Sequence, residues 1–406
     1  MSKIKIKNFG PIKEGLGEEW IEIKKVTVFI GNQGSGKSTV AKLISTFVWI
    51  EKAMVKRILQ QDELDTKNRF IKRLAYQQID NYIKKDTAIE YCGEAFSFSF
   101  IKGNFKATKT ATSIYALPKI MYVPSERNFL SVVDRPDKIN NLPKTLYTFN
   151  DEFDAAKHLF AAGLELPINK VRFEYDKFNK IAHIFDENRS FRLRLSDASS
   201  GFQSTVPLFL VTKYLSDRLS SEEDPYIQET SLEDQKKIDK EVKAIMEDAQ
   251  LTPEVRQAFL RQVSAKIKPT CFINIVEEPE QNLFPSSQQS VLHELLKYAN
   301  EANGNKLIMT THSPYLITYL TLAIKSNELK GKIKSDDLLK RLSNIVPLKA
   351  TINPNNLMIY ELDEIDGSIK LLGNFEGIPS DKNSLNKSLG EGNQLYDSLL
   401  EIEEEL

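Results

Sequence analysis

The chain has 406 residues, 41% hydrophobic and 27% charged, the profile of a soluble globular protein large enough for one elaborated domain or two smaller ones. A formal net charge of −1 excludes partner binding driven by bulk charge, to nucleic acid or to a membrane surface, and leaves only local basic patches for that purpose. Cys92 and Cys271 are the only cysteines and there are four histidines, which excludes a disulfide framework and the usual paired zinc motifs and points to a reducing, cytoplasmic setting. The first residues are charged where a signal peptide is apolar, and no apolar run approaches the roughly 20 residues of a membrane span, so no membrane association is expected.

Two alternating stretches, 4–9 and 20–31, read as strands, the second ending in a fully apolar run. From Lys37 onward, Val40, Leu43, Ile44, Phe47 and Val48 recur at helical spacing. Residues 51–87 read as helical and carry Lys52, Lys56, Arg57, Lys67, Arg69, Lys72, Arg73, Lys84 and Lys85. Such a face is ordinarily solvated; the rival reading is a basic surface for nucleic acid or a partner. A β-meander is expected over 88–110 and a strand over 119–124. Pro136, Pro143 and Pro167 break 126–170 into short pieces. A hairpin follows over 171–185, a helix over 203–220 and a polar helical insertion over 222–268. The run 270–276 is continuously apolar, as a buried parallel strand should be. After it come a helix near 286–303, a strand over 306–311 and a helix beyond Pro314. The last segment reads as a hairpin turning at Asp366-Gly367, then an acidic helical tail. This alternation predicts an α/β fold with a mixed, mainly parallel sheet flanked by helices, an antiparallel β-subdomain and helical insertions.

Four motifs carry chemistry. The segment Gly31-Asn32-Gln33-Gly34-Ser35-Gly36-Lys37-Ser38, followed by Thr39, matches the P-loop pattern and lies between an apolar strand and a helix. Its glycines let backbone N–H groups wrap a phosphate, and the helix N-terminus adds partial positive charge. Lys37 is expected to reach the β- and γ-phosphates of ATP, and Ser38 to ligate Mg2+. The apolar strand over 272–276 delivers Glu277 and Glu278 at the sheet edge where ligands of open α/β sheets bind. Glu277 is the candidate Mg2+ holder, through water, and Glu278 the group that orients or deprotonates the attacking water. The strand over 307–311 ends at His312, placed to reach a γ-phosphate or that water. Finally Ser199-Ser200-Gly201-Phe202-Gln203-Ser204 opens a helix and offers a second phosphate-binding surface. One γ-phosphate needs two such surfaces only if two copies meet head to tail, each nucleotide lying between the P-loop of one and the serine motif of the other.

In this order the motifs resemble the Walker A, signature, Walker B and switch-histidine motifs of ABC-type ATPases. The segments NFGPI (8–12), MYVPSER (121–127), SSGFQS (199–204), VEEPEQNLFP (276–285) and TTHSPYL (310–316) are similar to the OLD-related, AAA15-group ATPases of bacterial defence systems. That likeness implies an ATPase in which Ser200, Gly201 and Gln203 form the trans signature, Glu278 is the base, His312 the switch histidine and Asn282 part of the D-loop. Ser125–Arg127 takes the place of the Q-loop. Two departures, Glu277 for the usual aspartate and Phe202 for the second signature glycine, are compatible with slow turnover. The resemblance divides the chain into an N-terminal ATPase lobe (1–50 and 88–125), a helical insertion (51–87), a signature-bearing region (126–221), a second insertion (222–268), a C-terminal lobe (269–350) and a closing hairpin and acidic helix (351–406).

Insertions this short do not supply the coiled coils of chromosome-structure and repair members, and this signature is atypical for transporters. OLD nucleases carry a nuclease domain after the ATPase; here the acidic run Glu361–Asp366 sits on a hairpin and reads as a solvated loop. The resemblance therefore implies the arrangement of the Septu and PARIS systems: a homodimer or larger homo-oligomer that senses, and a separate nuclease or TOPRIM-like effector that acts. The insertions and 126–170 are the expected docking surfaces. The alternative is a stand-alone, DNA-associated ATPase using the basic 51–87 face.

Overall fold

The computed structural model describes residues 2–59, 64, 69–110, 115–133, 135–188, 190–220, 255, 259 and 269–404. The insertion expected over 222–268 lies outside the described residues except at 255 and 259, and Lys67 also lies outside them.

The stretch expected as one strand over 20–31 is two. After β1 (Ser2–Phe9) come β2 (Ile21–Ile23) and β3 (Val26–Gly31), which belong to different sheets. At the switch, the Lys24 N–H donates to Thr27 Oγ1 at 3.0 Å, a local bond that competes with continued strand pairing. β1 alternates between buried and half-buried residues and pairs antiparallel with β2 and with β4 (Ile83–Cys92). β5 (Phe96–Ile101) and β6 (Asn104–Lys109) complete the expected meander in the order β2-β1-β4-β5-β6. β4 begins inside the segment read as helical, because Ile83 pairs with Phe9 beyond an irregularity at Lys7–Phe9; long-range pairing overrides the local pattern there. Among the described residues of 51–87, the helical parts include the end of the helix Lys37–Val55, the short helix Arg69–Tyr76 and a 3-10 turn over Asp80–Tyr82.

β7 (Pro118–Val123) leaves the meander for the central sheet. β8 (Leu164–Glu165), β9 (Val171–Asp176), β10 (Ile181–Asp186) and β11 (Arg192–Arg194) form a separate antiparallel sheet, with the expected hairpin at β9–β10. β12 (Cys271–Glu277), β13 (Lys306–Thr310), β14 (Leu357–Leu362) and β15 (Ile369–Leu371) complete the central order β15-β14-β3-β13-β12-β7. Every neighbouring pair in it is parallel except β14–β15. The fold is thus α/β with a mixed, mainly parallel sheet and antiparallel companions. The C-terminal hairpin is not an appendage: β14 lies beside β3, the strand that feeds the P-loop.

β3 and β12 are buried at every residue, as strands covered on both faces must be. Alternate residues supply two cores. Phe29, Ile273, Ile275 and Ile308 join the helix Lys37–Val55 and the meander on one face. Val28, Ile30, Phe272, Val276 and Met309 join the helices Lys144–Leu159, Ser200–Ser220, Pro285–Asn300 and Pro314–Lys330 on the other. Because β3, β12, β13 and β14 run in one direction, their C-terminal ends share one edge, where an open α/β sheet receives its ligands.

Candidate functional site

At that edge Gly31 ends β3 with φ 139°, and a Cβ there would stand 2.3 Å from the Leu362 carbonyl oxygen of β14. Only glycine fits so close a backbone approach. Gly34 and Gly36 also take positive φ, and Gly36 caps the helix Lys37–Val55, whose first-turn N–H groups no side chain caps. Uncapped donors at a helix start suit an anion. Lys37, only 5% exposed, lies folded into the loop and donates to the carbonyls of Gly31 (2.9 Å) and Asn32 (2.7 Å). Burial brings its ammonium down to about 8, against the opposing pull of Glu278, Glu280, Glu364 and Glu277. The Ser35 hydroxyl is buried without a partner. Ser38 is half-buried, Thr39 buried, and Asn32, Gln33 and Gly34 are exposed at the rim. The Gln33 N–H is tied to Asn32 Oδ1 at 2.8 Å.

Glu277 and Glu278 take different environments although adjacent. Glu277 is buried; Oε1 accepts from the Tyr122 hydroxyl at 2.6 Å and Oε2 from the Ser125 N–H at 3.2 Å. Each oxygen keeps a second lone pair, enough to accept from metal-bound water. Glu278 turns out of the strand with φ 44°, its N–H on the Thr310 carbonyl at 2.9 Å. Burial first, then Glu277, pushes its carboxyl above the ordinary carboxylate value, which suits a general base. His312 Nε2 lies 3.8 Å from Glu278 Oε1. Burial and Lys37 lower the imidazole pKa, so near neutral pH the ring is neutral and the contact is not an ion pair.

No family model matches this chain and no curated protein matches it. Among solved structures, the SMC head domain from Thermotoga maritima is similar with a TM-score of 0.37 and 11% identity, over 92% of this chain and 98% of that one. The Smc head domain with an extended coiled coil bound to the C-terminal domain of ScpA, from Pyrococcus furiosus, gives 0.40 and 10%, over 98% and 100%. A dimeric ATP-binding cassette in a post-hydrolysis state with ADP and Pi gives 0.28 and 12%, over 92% and 100%. At these values the likeness assigns no activity, and the chemistry rests on the residues.

The serine motif does not sit on the P-loop of its own chain. Ser200 is exposed at the start of the helix Ser200–Ser220, and Gly201 packs against the segment after Glu278: a Cβ on it would stand 2.8 Å from the Asn282 carbonyl oxygen. Gln203 faces the other way. Its amide donates to the Ser196 carbonyl at 2.8 Å, and its own carbonyl accepts from Ser131 Oγ at 2.7 Å. Asn282, at φ 59°, donates to Ser204 Oγ at 3.4 Å. Ser131 and Ser196 also border a cavity of about 990 Å³ that reaches Phe153, His158 and the β9–β10 hairpin.

Glu280 and Glu364 gain roles that the motifs did not give them, and Arg127, read as part of the Q-loop segment Ser125–Arg127, gains specific contacts. Glu280 is half-buried; its Oε1 accepts from Thr311 Oγ1 (2.8 Å) and the His312 N–H (2.7 Å), fixing the turn that carries the imidazole. Arg127, with no exposed surface, binds the carbonyls of Glu277 and Glu278 at 2.7 Å each. Glu364 Oε1 accepts from Asn32 Nδ2 at 2.8 Å. The acidic run 361–366 is therefore not simply a solvated loop: Glu364 touches the P-loop, and Glu361 accepts from the Ser384 N–H. The signal available in sequence was Glu280 two residues past the carboxylate pair; for Glu364 there was none.

The described basic residues of 51–87 take different environments. Lys52 is brought down to about 8 by burial, Arg73 lies 4.7 Å from the Trp49 ring centroid, and Lys84 donates to the Gly10 carbonyl. Arg57, Arg69, Lys72 and Lys85 are exposed. Among the described residues, no helix is long and apolar enough to cross a membrane.

Proposed function

We propose that this chain is an ATP-binding and ATP-hydrolysing enzyme that works as a head-to-tail dimer, with the nucleotide held between the P-loop of one copy and the Ser200–Gly201 surface of the other. The observation that carries the reading is the convergence of Lys37, Glu278 and His312 at one sheet edge, with the imidazole 3.8 Å from the carboxylate. The loop residues Gly34–Thr39 would wrap the phosphates, and Lys37 would exchange its two carbonyl partners for phosphate oxygens. Ser38 and, through water, Glu277 would hold Mg2+, which supplies charge neutralisation between the phosphates. Glu278 would take the proton of the attacking water while His312 orients it. Ser200 is exposed and free to meet the nucleotide of a second copy.

The motif resemblance extends this to a regulatory subunit of a two-component anti-phage complex that controls a separate nuclease or TOPRIM-like effector. The cavity beside Ser131 and Ser196 supports an effector contact within the expected region, since its walls hold Gln203. Co-expression with the product of a neighbouring effector gene tests this arm. Lys180→Glu with Arg194→Glu, two cavity-lining cations, should abolish the complex and leave basal turnover unchanged. An intact complex would sink the docking site.

The deciding experiment is ATP hydrolysis and solution mass, with and without ATP, for wild type and Glu278→Gln. A mutant trapped as an ATP-bound dimer without turnover is the expected result. Equal turnover in both proteins would remove Glu278 as the base.

A further inference from the structure

Arg127 has no exposed surface, and burial brings its pKa down only to about 10, so it is charged at neutral pH. Its hydrogen bonds go to backbone carbonyls of three separate segments. Nε donates to Ser204 at 3.1 Å, Nη1 to Pro124 at 3.3 Å and Glu277 at 2.7 Å, and Nη2 to Glu278 at 2.7 Å. The carboxylates of Glu280, Glu278, Glu277 and Glu126 help to stabilise the charge from a distance. A charge enclosed this way is costly unless every donor is used. Filling hydrophobic volume would not require it.

The geometry explains what the charge does. Ser204 lies in the first turn of the helix that begins at Ser200, and Glu277–Glu278 end the central strand β12. A planar guanidinium has donors in fixed directions, so the Ser204 carbonyl cannot move relative to the Glu278 carbonyl without breaking one of the bonds. A second contact backs the first: Ser204 Oγ meets Gln281 Oε1 at 3.3 Å, and Gly201 sits against Asn282. Glu278 itself is in the left-handed region at φ 44°, a conformation that costs on the order of 1 kcal/mol and persists only where the surroundings over-determine it. The Arg127 bond to its carbonyl and the Thr310 bond to its N–H are those surroundings.

We infer that Arg127 is a positioning residue that couples the Ser200 surface to the base, so that engagement of Ser200–Gly201 by a nucleotide on the partner copy is transmitted through Ser204 and Arg127 to Glu278. The inference rests on the two-copy reading above. It makes the base of one copy depend on the nucleotide bound to the other, so turnover requires both sites of the dimer to be filled. Lysine keeps the charge but lacks the fork, and cannot hold the three segments in one plane.

The test is a double-mutant cycle on turnover with Ser200→Ala and Arg127→Lys, read alongside single-site ATP affinity and thermal stability. Arg127→Lys should bind ATP as wild type does and lose turnover by about tenfold or more, an order taken from the loss of one positioned group. Ser200→Ala should cost turnover in wild type and little further in the Arg127→Lys background. Fully multiplicative losses overturn the coupling and leave the two-copy reading standing. No effect of Ser200→Ala in wild type overturns that reading itself. Should Arg127→Lys fail to fold, Ser204→Ala removes the second contact of the junction, from Ser204 Oγ to Gln281, while keeping the carbonyl that Arg127 binds, and the same cycle with Ser200→Ala decides: non-multiplicative losses support the coupling and multiplicative ones overturn it.

Discussion

The Tyr122 hydroxyl donates to Glu277 Oε1 at 2.6 Å across the neighbouring strands β7 and β12. Burial and the carboxylate hold this phenol well above its ordinary pKa, so it remains a donor throughout the working range. Tyr122→Phe leaves one oxygen of a buried carboxylate without its protein partner, at a cost of about 1–3 kcal/mol. Urea unfolding should show that loss, and a magnesium titration of turnover should shift, because Glu277 would then be held by the Ser125 N–H alone.

The Lys37 ammonium predicts a basic limb for nucleotide binding. Its pKa in the free protein is about 8, set by burial, and bound phosphate raises it. Above pH 8 the free protein has lost a proton that the complex keeps, so the dissociation constant should rise about tenfold per pH unit until the raised value is reached. In the absence of ligand the sign is opposite for stability: a lysine depressed by folding penalises the native state below pH 8 and releases that penalty as pH rises toward the ordinary lysine value. Calorimetric titration between pH 7 and 9.5 should show proton uptake on binding, and Lys37→Arg should flatten the profile.

Glu364 places a carboxylate on the P-loop through Asn32 and acts on Lys37 from a distance. Glu364 is exposed, so its removal should hardly change stability. Glu364→Ala should tighten ATP binding by about two- to fivefold, the equivalent of a surface charge interaction, with the gain fading at high salt. Unchanged or weaker affinity would mean that Glu364 supports the loop and does not oppose phosphate.

Gly201 and Ser200 should part company on substitution. A Cβ at Gly201 would stand 2.8 Å from the Asn282 carbonyl oxygen, so Gly201→Ala must displace backbone. A stability loss of about 1–3 kcal/mol is expected from such overpacking. Exposed Ser200→Ala should unfold as wild type does. Thermal melts of the two variants distinguish a packing role from a surface role.

The parts of the fold carried by local periodicity were legible. The continuous apolar runs of β3, β12 and β13, the alternation of β1, β5 and β9, and the helical spacing after Lys37 each appear where the residues predicted them. The motif residues could be named for the same reason, since Gly31–Ser38 and Glu277–Glu278 are contiguous in the chain. What local pattern could not show was pairing over distance. Ile83 is drawn into β4 by Phe9, and Leu357–Leu362 is recruited beside β3, neither of which leaves a trace in spacing. The Ser125–Arg127 segment was legible by resemblance, but the enclosure of Arg127 was hidden for a chemical reason: a charged residue in a polar sequence context reads as surface, and only the carbonyls around it reveal that it is buried.

The position of β14 also bears on how the protein is made. β3 is complete by residue 31, yet its neighbours on the two sides, β13 and β14, begin at 306 and 357. Contacts of such long sequence separation close late, because the intervening chain must surrender its freedom first. A growing chain therefore carries its P-loop through the synthesis of residues 32–356 without both of the strands that give it shape. Phosphate affinity should emerge abruptly, once residue 362 has left the ribosome, and a nascent copy is spared from engaging nucleotide, or another nascent copy, before its central sheet is assembled.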